Sequence, residues 1–528
     1  MCEQIKNWNK LLLISLSNVQ NFIANARKAK DLYNGSMMVQ QTIIWIQNTL
    51  MFDGKECIKS KNCTKDTVNN PQADMELTFC LEDKIEETNV PNFLLYRFFY
   101  KGNKANREIE EFIYRKLLGN MNEEKIPVDL IPYIVVEDIK ENNYEEAYYK
   151  IHRKLNAYKN NRLESRKFLK EREEEEAQKK EQQICSLCGI RYGKKCDGRK
   201  GKVRSNRVQV EEDDEVLCKE CEEKREYTRI GFESVDDIAE IGKKDGIYYV
   251  LIRADLDDMG KKIAKVDEAY REEGLLKWQV LLKKFLKDFS NKIEKMVQEI
   301  DKNHNLLVYA GGDDLLFFCP IDQVMNILQK IEGLLQESWK GIVVAEKGQI
   351  ETTITMSKCV TIAHKKAPLK RVIQLSKNYL ETTKKYRVNE NDNEKDNIGF
   401  LLILNGYEQS FSVIKKYNLK YVNQLLEGIG KDFSRNLLYQ LQERIRVFGM
   451  EVDSEQEVIN TIICNDMKML LKTKCRKEAI EKYKESFDVL YSQFTERCGK
   501  IMKINSKYFF ELLYIIDKWA AELKEKGK

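Results

Sequence analysis

The segment that most restricts the fold is Leu306 to Pro320, Leu-Leu-Val-Tyr-Ala-Gly-Gly-Asp-Asp-Leu-Leu-Phe-Phe-Cys-Pro. Two short apolar runs flank Gly311-Gly312, the pattern of two strands joined by a tight turn. Glycine takes positive φ without strain and lets a bulky ligand approach the backbone. Asp313 and Asp314 follow at once. Adjacent carboxylates repel each other, so clustering them at a strand end makes sense chiefly where cations hold them. Upstream, Ile247-Tyr-Tyr-Val-Leu-Ile-Arg-Ala254 reads as a buried strand that runs into Asp255-Leu-Asp-Asp-Met-Gly260. Pairing that strand beside the hairpin would bring Asp255 to Asp313 and Asp314. Such a trio can hold two Mg2+ or Mn2+ ions about 3.5–4 Å apart and clamp both oxygens of a phosphoryl transfer. One ion would lower the pKa of a 3′-hydroxyl and the other would neutralise the leaving pyrophosphate. The plain alternative is two solvated acidic turns; the Gly-Gly turn and the strands on either side favour the metal site.

The order of elements around the hairpin predicts a palm. Strand 247–254, helix 276–300, strand 306–310, strand 315–319, helix 321–337 and strand 353–363 make a ferredoxin-like β-α-β-β-α-β core. Helix 368–386 and strand 398–404 add to it. Two basic points accompany this core: His364-Lys-Lys with Lys370-Arg371, and Lys384-Lys385 with Arg387 at a helix end. A helix-terminal lysine can reach a triphosphate or simply be a solvated end.

Length and composition bound the rest. At 528 residues the chain predicts about three or four domains. With 42% hydrophobic residues it is no disordered chain, and 90 Lys+Arg against 85 Asp+Glu leaves only +5, too little for a general polyanion binder. The apolar run Leu11–Leu16 is too short for a signal-peptide core, and no window approaches the ~18–20 apolar residues of a membrane span. A cytoplasmic protein without membrane contact is therefore expected, in which cysteines are free thiols or metal ligands.

Of the 14 cysteines, Cys57, Cys80, Cys319, Cys359, Cys464 and Cys498 are scattered and read as small core residues. Cys185 and Cys188 form one Cys-x-x-Cys and Cys218 and Cys221 another. Two such knuckles complete a closed, structural four-sulfur zinc site. The alternatives are unrelated thiols, or Cys196 as a substitute ligand. A charged helix precedes the module at 170–181. Inside it a basic stretch, Lys194, Lys195, Arg199, Lys200, Lys202, Arg204 and Arg207, either grips nucleic-acid phosphates or is neutralised by the acidic run that starts at Glu211.

At these residues the chain resembles the large, polymerase/cyclase-like subunit of type III CRISPR effector complexes, in the Cmr (subtype B) form. Ile14 to Ser36 resembles the segment that opens the family's first palm, and Val90-Pro-Asn-Phe-Leu94 resembles another landmark. The paired Cys-x-x-Cys, the Asp255 strand end and the Gly-Gly-Asp-Asp hairpin come after them in the family's order. The resemblance implies an α+β architecture: two ferredoxin-like palm domains with an inserted zinc-binding module and a helical C-terminal domain. Its boundaries would be 1–165 for a first, non-catalytic palm, 166–235 for the zinc module, 236–408 for the second palm and 409–528 for the helical domain. Asp255, Asp313 and Asp314 would bind the metals, and Gly311 and Gly312 would pass close to phosphate. Ser357, Lys384 and His364 would belong to the nucleotide pocket.

The implied activity is a nucleotidyltransferase, switched on by target RNA in a guide-RNA complex. It would turn ATP into cyclic oligoadenylate, or join AMP to S-adenosylmethionine. Two departures qualify this. The HD nuclease found in many relatives needs several histidines and a His-Asp pair, whereas this chain has only His152, His304 and His364, followed by Arg, Asn and Lys; no such nuclease is expected. Ser357 is followed by Lys358-Cys359 instead of small residues, which is expected to alter the nucleotide pocket. From a different class, a non-enzymatic scaffold binding guide and target RNA is the rival, against which the three acids argue. A diguanylate cyclase shares the hairpin but not Leu315-Leu316 or the zinc module. In the tail, which has no proline, Tyr508, Phe509, Leu512, Leu513, Ile516, Trp519 and Leu523 recur at helical spacing and predict a bundle core or a docking helix.

Overall fold

A computed structural model describes residues 9–17, 19–59, 75–76, 93–100, 103–121, 127, 130, 132–140, 143–160, 183–189, 191–195, 216–227, 234–241, 246–259, 274–301, 306–311, 313–345, 354–388, 395–405, 409–449, 456–494 and 506–524. The chain divides into two compact units, Met1–Ile230 with Val266–Lys283, and Gly231–Lys265 with Lys284–Lys528.

The first unit opens with β1 (Lys10–Leu16), a wholly buried apolar strand, followed by α1 (Val19–Ala24) and α2 (Ala29–Lys59). After β2 (Met75–Glu76) come β3 (Phe93–Tyr100), α3 (Asn106–Met121), β4 (Pro132–Asp138) and α4 (Tyr144–Asn160). The strands form an antiparallel sheet of order β2-β3-β1-β4. Its core packs Leu11, Leu13 and Val135 against Ala147, Ile151 and Leu155, the residues that α4 repeats at helical spacing.

A small three-stranded sheet of β5 (Gln183–Ile184), β6 (Tyr192–Lys195) and β7 (Val216–Leu217) precedes α5 (Lys219–Glu226). This helix docks on α1 and α2 through ions that are almost fully buried. The Lys224 ammonium donates to the carbonyls of Phe22 and, at 2.8 Å, Asn25, while Arg225 makes a two-pronged pair with Asp31 at 2.7 Å on each arm. Burial alone would raise the Asp31 pKa, but the Arg225 guanidinium and two backbone N–H donors hold it below the usual carboxylate value.

The second unit follows α6 (Val235–Glu240) with β8 (Tyr248–Leu256), the part of α7 (Gly274–Ile300) from Lys284 onward, β9 (Leu307–Gly311), β10 (Asp314–Cys319), α8 (Val324–Ala345) and β11 (Met356–His364). α9 (Leu369–Lys385), β12 (Asn397–Ile403) and β13 (Gln409–Lys415) extend it to a six-stranded sheet of order β13-β12-β11-β8-β10-β9. The β-α-β-β-α-β order is thus the predicted one, with β12 added parallel to β11. Residues 409–415, assigned from sequence to the helical domain, instead form an edge strand; a strand of that length with buried Phe411, Val413 and Ile414 satisfies its backbone on β12.

A 3-10 turn (Lys416–Asn418) leads into α10 (Leu419–Gly428), α11 (Arg435–Gly449), α12 (Gln456–Lys474), α13 (Ile480–Gln493) and α14 (Ser506–Lys524). The apolar stripe of α14 is core: Phe509, Leu512, Leu513, Ile516 and Trp519 are buried, and the Trp519 indole donates to the Ile321 carbonyl at 3.2 Å. No helix among the described residues is long and apolar enough to cross a membrane.

Candidate active site and cysteine cluster

Antiparallel pairing assembles the acidic site. Asp255, one residue from the end of β8, stands opposite Asp314 on β10 and opposite Ser357 on β11. The Leu256 N–H donates to the Asp313 carbonyl at 3.0 Å, which ties the hairpin turn to the end of β8. Gly311 closes β9 opposite Asp314. Gly312 lies outside the described residues.

Lys384 arrives from another element. The last turn of α9 lies on β12 at Gly399, where a Cβ would meet the Thr383 Oγ1 at 2.2 Å. Only glycine allows that approach, and the next residue, Lys384, pairs its ammonium with an Asp255 oxygen. The Asn397 side chain donates to the Thr383 and Tyr386 carbonyls at 2.8 and 3.1 Å, satisfying the end of the helix.

The electrostatics follow from burial and crowding. Burial raises the Asp255 pKa, Lys384 offsets part of that, and Asp313 and Asp257 add to it. Burial, then Asp313 and Asp255, push Asp314 up to about 7, with Arg253 and Lys384 pulling the other way. Burial would lower the Lys384 pKa, but its pair with Asp255 raises it. Arg253 lies two residues before Asp255 on the same face, is 6% exposed, and donates to the Tyr309 hydroxyl at 3.1 Å. Asp255 is buried, Asp314 half-buried and Asp313 exposed, and their oxygens are not drawn together as closely as the ligands of a single ion. Carboxylates that repel one another at a strand end are still a donor set that a divalent cation relieves, so the three suit Mg2+ or Mn2+ by their chemistry.

The other pocket candidates fare differently. Ser357 is in register with Asp255, but its hydroxyl is fully buried and donates to the Asp257 carboxylate at 2.8 Å. His364 stands at the opposite end of β11, paired with Tyr248, and its Nδ1 accepts the Lys366 N–H at 3.1 Å. Seven residues of strand at ~3.3 Å each separate it from Ser357, so the structure does not bring His364 to the carboxylates.

The expectation for Lys358 and Cys359 also changes. Strand alternation turns Lys358 away from Ser357, to pair with Glu332 of α8 at 3.5 Å. Cys359 shares the Ser357 face but is wholly buried, its thiol pushed up to about 12 by burial.

Sequence reading missed Asp257, which is 2% exposed and accepts from both Ser357 and the Asp396 N–H. The available signal was a further carboxylate in the turn that directly follows the strand end carrying Asp255.

In the first unit, Cys185, Cys188, Cys218 and Cys221 bring their sulfurs within 4.8 Å of one another. Among the described residues this is the only group of three or more His, Cys, Asp or Glu side chains gathered closely enough for one ion. A tetrahedral zinc with Zn–S of about 2.3 Å needs sulfurs about 3.8 Å apart, and Cys188 and Cys218 are 4.0 Å apart. Gly189 at φ 71° turns the first knuckle, and its N–H donates to the Cys185 carbonyl at 3.0 Å. Hydrogen bonds among the crowded thiols split them, lowering Cys185 and Cys188 and raising Cys218 and Cys221, so that all four ionise together only where a cation compensates the charge. Four buried thiolates with no open position fit zinc as a structural ion. Cys196 and the basic residues from Arg199 to Arg207 lie outside the described residues, as do His304, the 170–181 segment and Val90-Pro-Asn.

Two family models match the chain: Cas10/Cmr2, second palm domain, over residues 248–398, and CRISPR-associated protein Cmr2, N-terminal, over 11–122. The Cmr subunit Cmr2 of Pyrococcus furiosus is 26% identical over 243 residues, 41% of this chain and 26% of that protein, so the match spans about a quarter of the curated relative. Among solved structures, type III-B Cmr-beta in the apo state has a similar fold (TM-score 0.55, 15% identity, covering 97% of this chain and 82% of that one). So do Cmr-beta bound to cognate target RNA (0.53, 15%, 89% and 79%) and the Csm1-Csm4 cassette in complex with cA4 (0.51, 13%, 96% and 69%).

Proposed function

The chain belongs to the Cas10/Cmr2 family, and on that premise we propose that it is the nucleotidyltransferase subunit of a type III CRISPR effector complex. With guide RNA and target RNA bound to the complex, it converts ATP into a second messenger. The observation that carries this reading is the register of Asp255 opposite Asp314, with Asp313 tied to the same strand end and Lys384 set against it. A scaffold that only binds RNA has no use for Asp255 and Asp314 pushed toward neutrality by burial and then by their acidic neighbours.

Asp255, Asp313 and Asp314 would hold two Mg2+ or Mn2+ ions, which supply charge neutralisation to the phosphates and acidify the attacking hydroxyl. The chain's own part is orientation and electrostatics. Gly311 lets phosphate approach the hairpin backbone. Lys384 is the cation that already faces Asp255, and it exchanges that partner for a phosphate oxygen when nucleotide enters. Ser357 acts by holding Asp257 rather than by touching nucleotide. The cysteine cluster holds a structural zinc. We keep the four-part division, the first unit comprising a first palm and the zinc module and the second a catalytic palm and the helical domain. The small inventory of histidines supports the absence of HD nuclease activity.

The test is product formation by the assembled, target-bound complex given ATP and Mg2+, with and without S-adenosylmethionine, the products being resolved by mass. Cyclic oligoadenylate or an AMP–S-adenosylmethionine conjugate is expected, and neither without target RNA. A complex that binds target yet never consumes ATP would leave the scaffold reading in its place.

A further inference from the structure

Two non-glycine residues among those described have a positive φ, Asp258 at 56° and Asp396 at 47°. Left-handed backbone is unfavourable for residues with a Cβ and persists where the surroundings fix it. Here each is fixed by the other's segment. The Lys395 ammonium pairs with the Asp258 carboxylate at 2.8 Å, and the Asp396 N–H donates to the Asp257 carboxylate at 3.0 Å. Asp257 takes its second donor from the Ser357 hydroxyl. The turn that ends β8, two residues past Asp255, is thereby stapled to the residues that open β12.

Charged side chains anchor the staple from behind. Asp396 accepts from Lys416 at 2.6 Å, and Lys416 also reaches Glu332 of α8 at 2.9 Å. Glu332 takes Lys358, which is 1% exposed and donates its remaining hydrogen bond to the Met356 carbonyl at 2.8 Å. Burial would raise Glu332, but Lys358 and Lys416 hold it below the usual value, so the pair of lysines keeps it ionised. A buried lysine inside a strand costs free energy that an aliphatic residue of the same volume would not. Stability alone therefore does not call for Lys358. What the ionic chain does provide is a fixed place for Asp396, and through its N–H a fixed place for Asp257.

We infer that Lys358 and Lys416 are positioning residues for the metal-binding carboxylates: through Glu332 and Asp396 they fix the 395–396 corner, which with Ser357 holds the end of β8 that presents Asp255. The inference rests on the reading of Asp255, Asp313 and Asp314 as metal ligands. Groups that orient ligands are worth about 10–100-fold in metal affinity in characterised sites.

The experiment compares Lys416→Met and Lys358→Met with Lys416→Arg and Lys358→Arg in the full chain. Mn2+ binding is read from the spin-resonance signal of free Mn2+, and kcat and KM for ATP are read in the target-bound complex. Both Met variants are expected to bind Mn2+ about tenfold more weakly and to lose a similar factor in kcat, with KM for ATP changed less than about threefold. The Arg variants should recover most of both. Lys416 is 29% exposed, so its variants keep the test decisive even where Lys358→Met does not fold. Asp313→Ala with Asp314→Ala runs beside them. If that double variant keeps Mn2+ binding, the metal-site reading falls and takes the inference with it. If it loses binding while both Met variants keep wild-type affinity and kcat, the positioning role alone is overturned.

Discussion

The two large sheets share one frame and differ in what they place on it. Counted within each unit, the strands of β1–β4 and of β8–β11 both lie in the order second, third, first, fourth. In each, the penultimate residue of the first strand faces the first residue of the third strand and the second residue of the fourth. In the second unit those residues are Asp255, Asp314 and Ser357; in the first they are Ser15, Phe93 and Tyr133. The frame fixes where a functional group can stand, and three side chains then separate a site from a core. The most direct way to break the comparison is to make the second sheet resemble the first. Asp313→Ala with Asp314→Ala should lower ATP turnover by target-bound complex at least ~1,000-fold, as loss of metal ligation and its charge stabilisation would. Turnover surviving that change would remove the distinction between the sheets.

Buried charge marks the same division. In the first unit the Arg225–Asp31 pair joins α5 to α2 almost out of reach of solvent, and its work is to hold the cysteine module in place. Arg225→Ala leaves Asp31 buried and unpaired, for which about 3–5 kcal/mol of stability should be lost. Denaturant unfolding measures this, and Arg225→Lys, with one point charge for a two-pronged fork, should recover only part of it. In the second unit the Gly399–Thr383 approach serves the site. Gly399→Ala forces the last turn of α9 outward, costing about 1–3 kcal/mol, and carries Lys384 away from Asp255. The useful readout is the pair of numbers together: a loss of turnover larger than the loss of stability explains assigns Gly399 to the site, and an equal loss assigns it to the core.

Much of this was legible in the sequence because its signals are local. The Gly-Gly turn, the apolar runs on either side and the Cys-x-x-Cys spacing each specify geometry within a few residues, and the structure places Asp255 beside Asp314 and the four cysteines together. Lys384 was visible as a basic helix end, although nothing local revealed Gly399 as the reason it reaches Asp255. The contacts that stayed hidden depend on distant pairing. Asp257 and Asp396 are 139 residues apart, and no window contains both. Strand parity was available for Lys358, which differs from Ser357 by one position and so faces the other way, but the partner that makes its burial tolerable, Glu332, belongs to a helix. His364 enters the nucleotide pocket through the family resemblance; the length of β11 keeps it from the carboxylates. Residues 409–415 were grouped with the helices that come next in the chain, while their own pairing with β12 decided their structure.

The smallest of these effects sharpens the contrast between sheets most cleanly, because only one of them should titrate at this position. Asp314 is pushed up from 3.8 to about 7, by burial first and then by Asp313 and Asp255, against the pull of Arg253 and Lys384. A carboxyl whose folded pKa is raised stabilises the fold fully below its unfolded pKa, and that contribution is lost as pH rises through the folded value. In metal-free chain the group should therefore weaken the fold progressively between about pH 4 and 7. Mn2+ binds only the ionised form, so the melting temperature it adds should be near zero at pH 5 and largest at pH 8, its affinity changing by no more than about tenfold per pH unit. Asp314→Asn, which cannot ionise, should give a Mn2+ increment that is small and flat across that range. Melting the full chain at each pH with and without Mn2+ reads both. An increment equal at pH 5 and pH 8 in the unaltered chain would mean that Asp314 is ionised throughout, and that its neighbours on the strand end crowd it no more than solvent does.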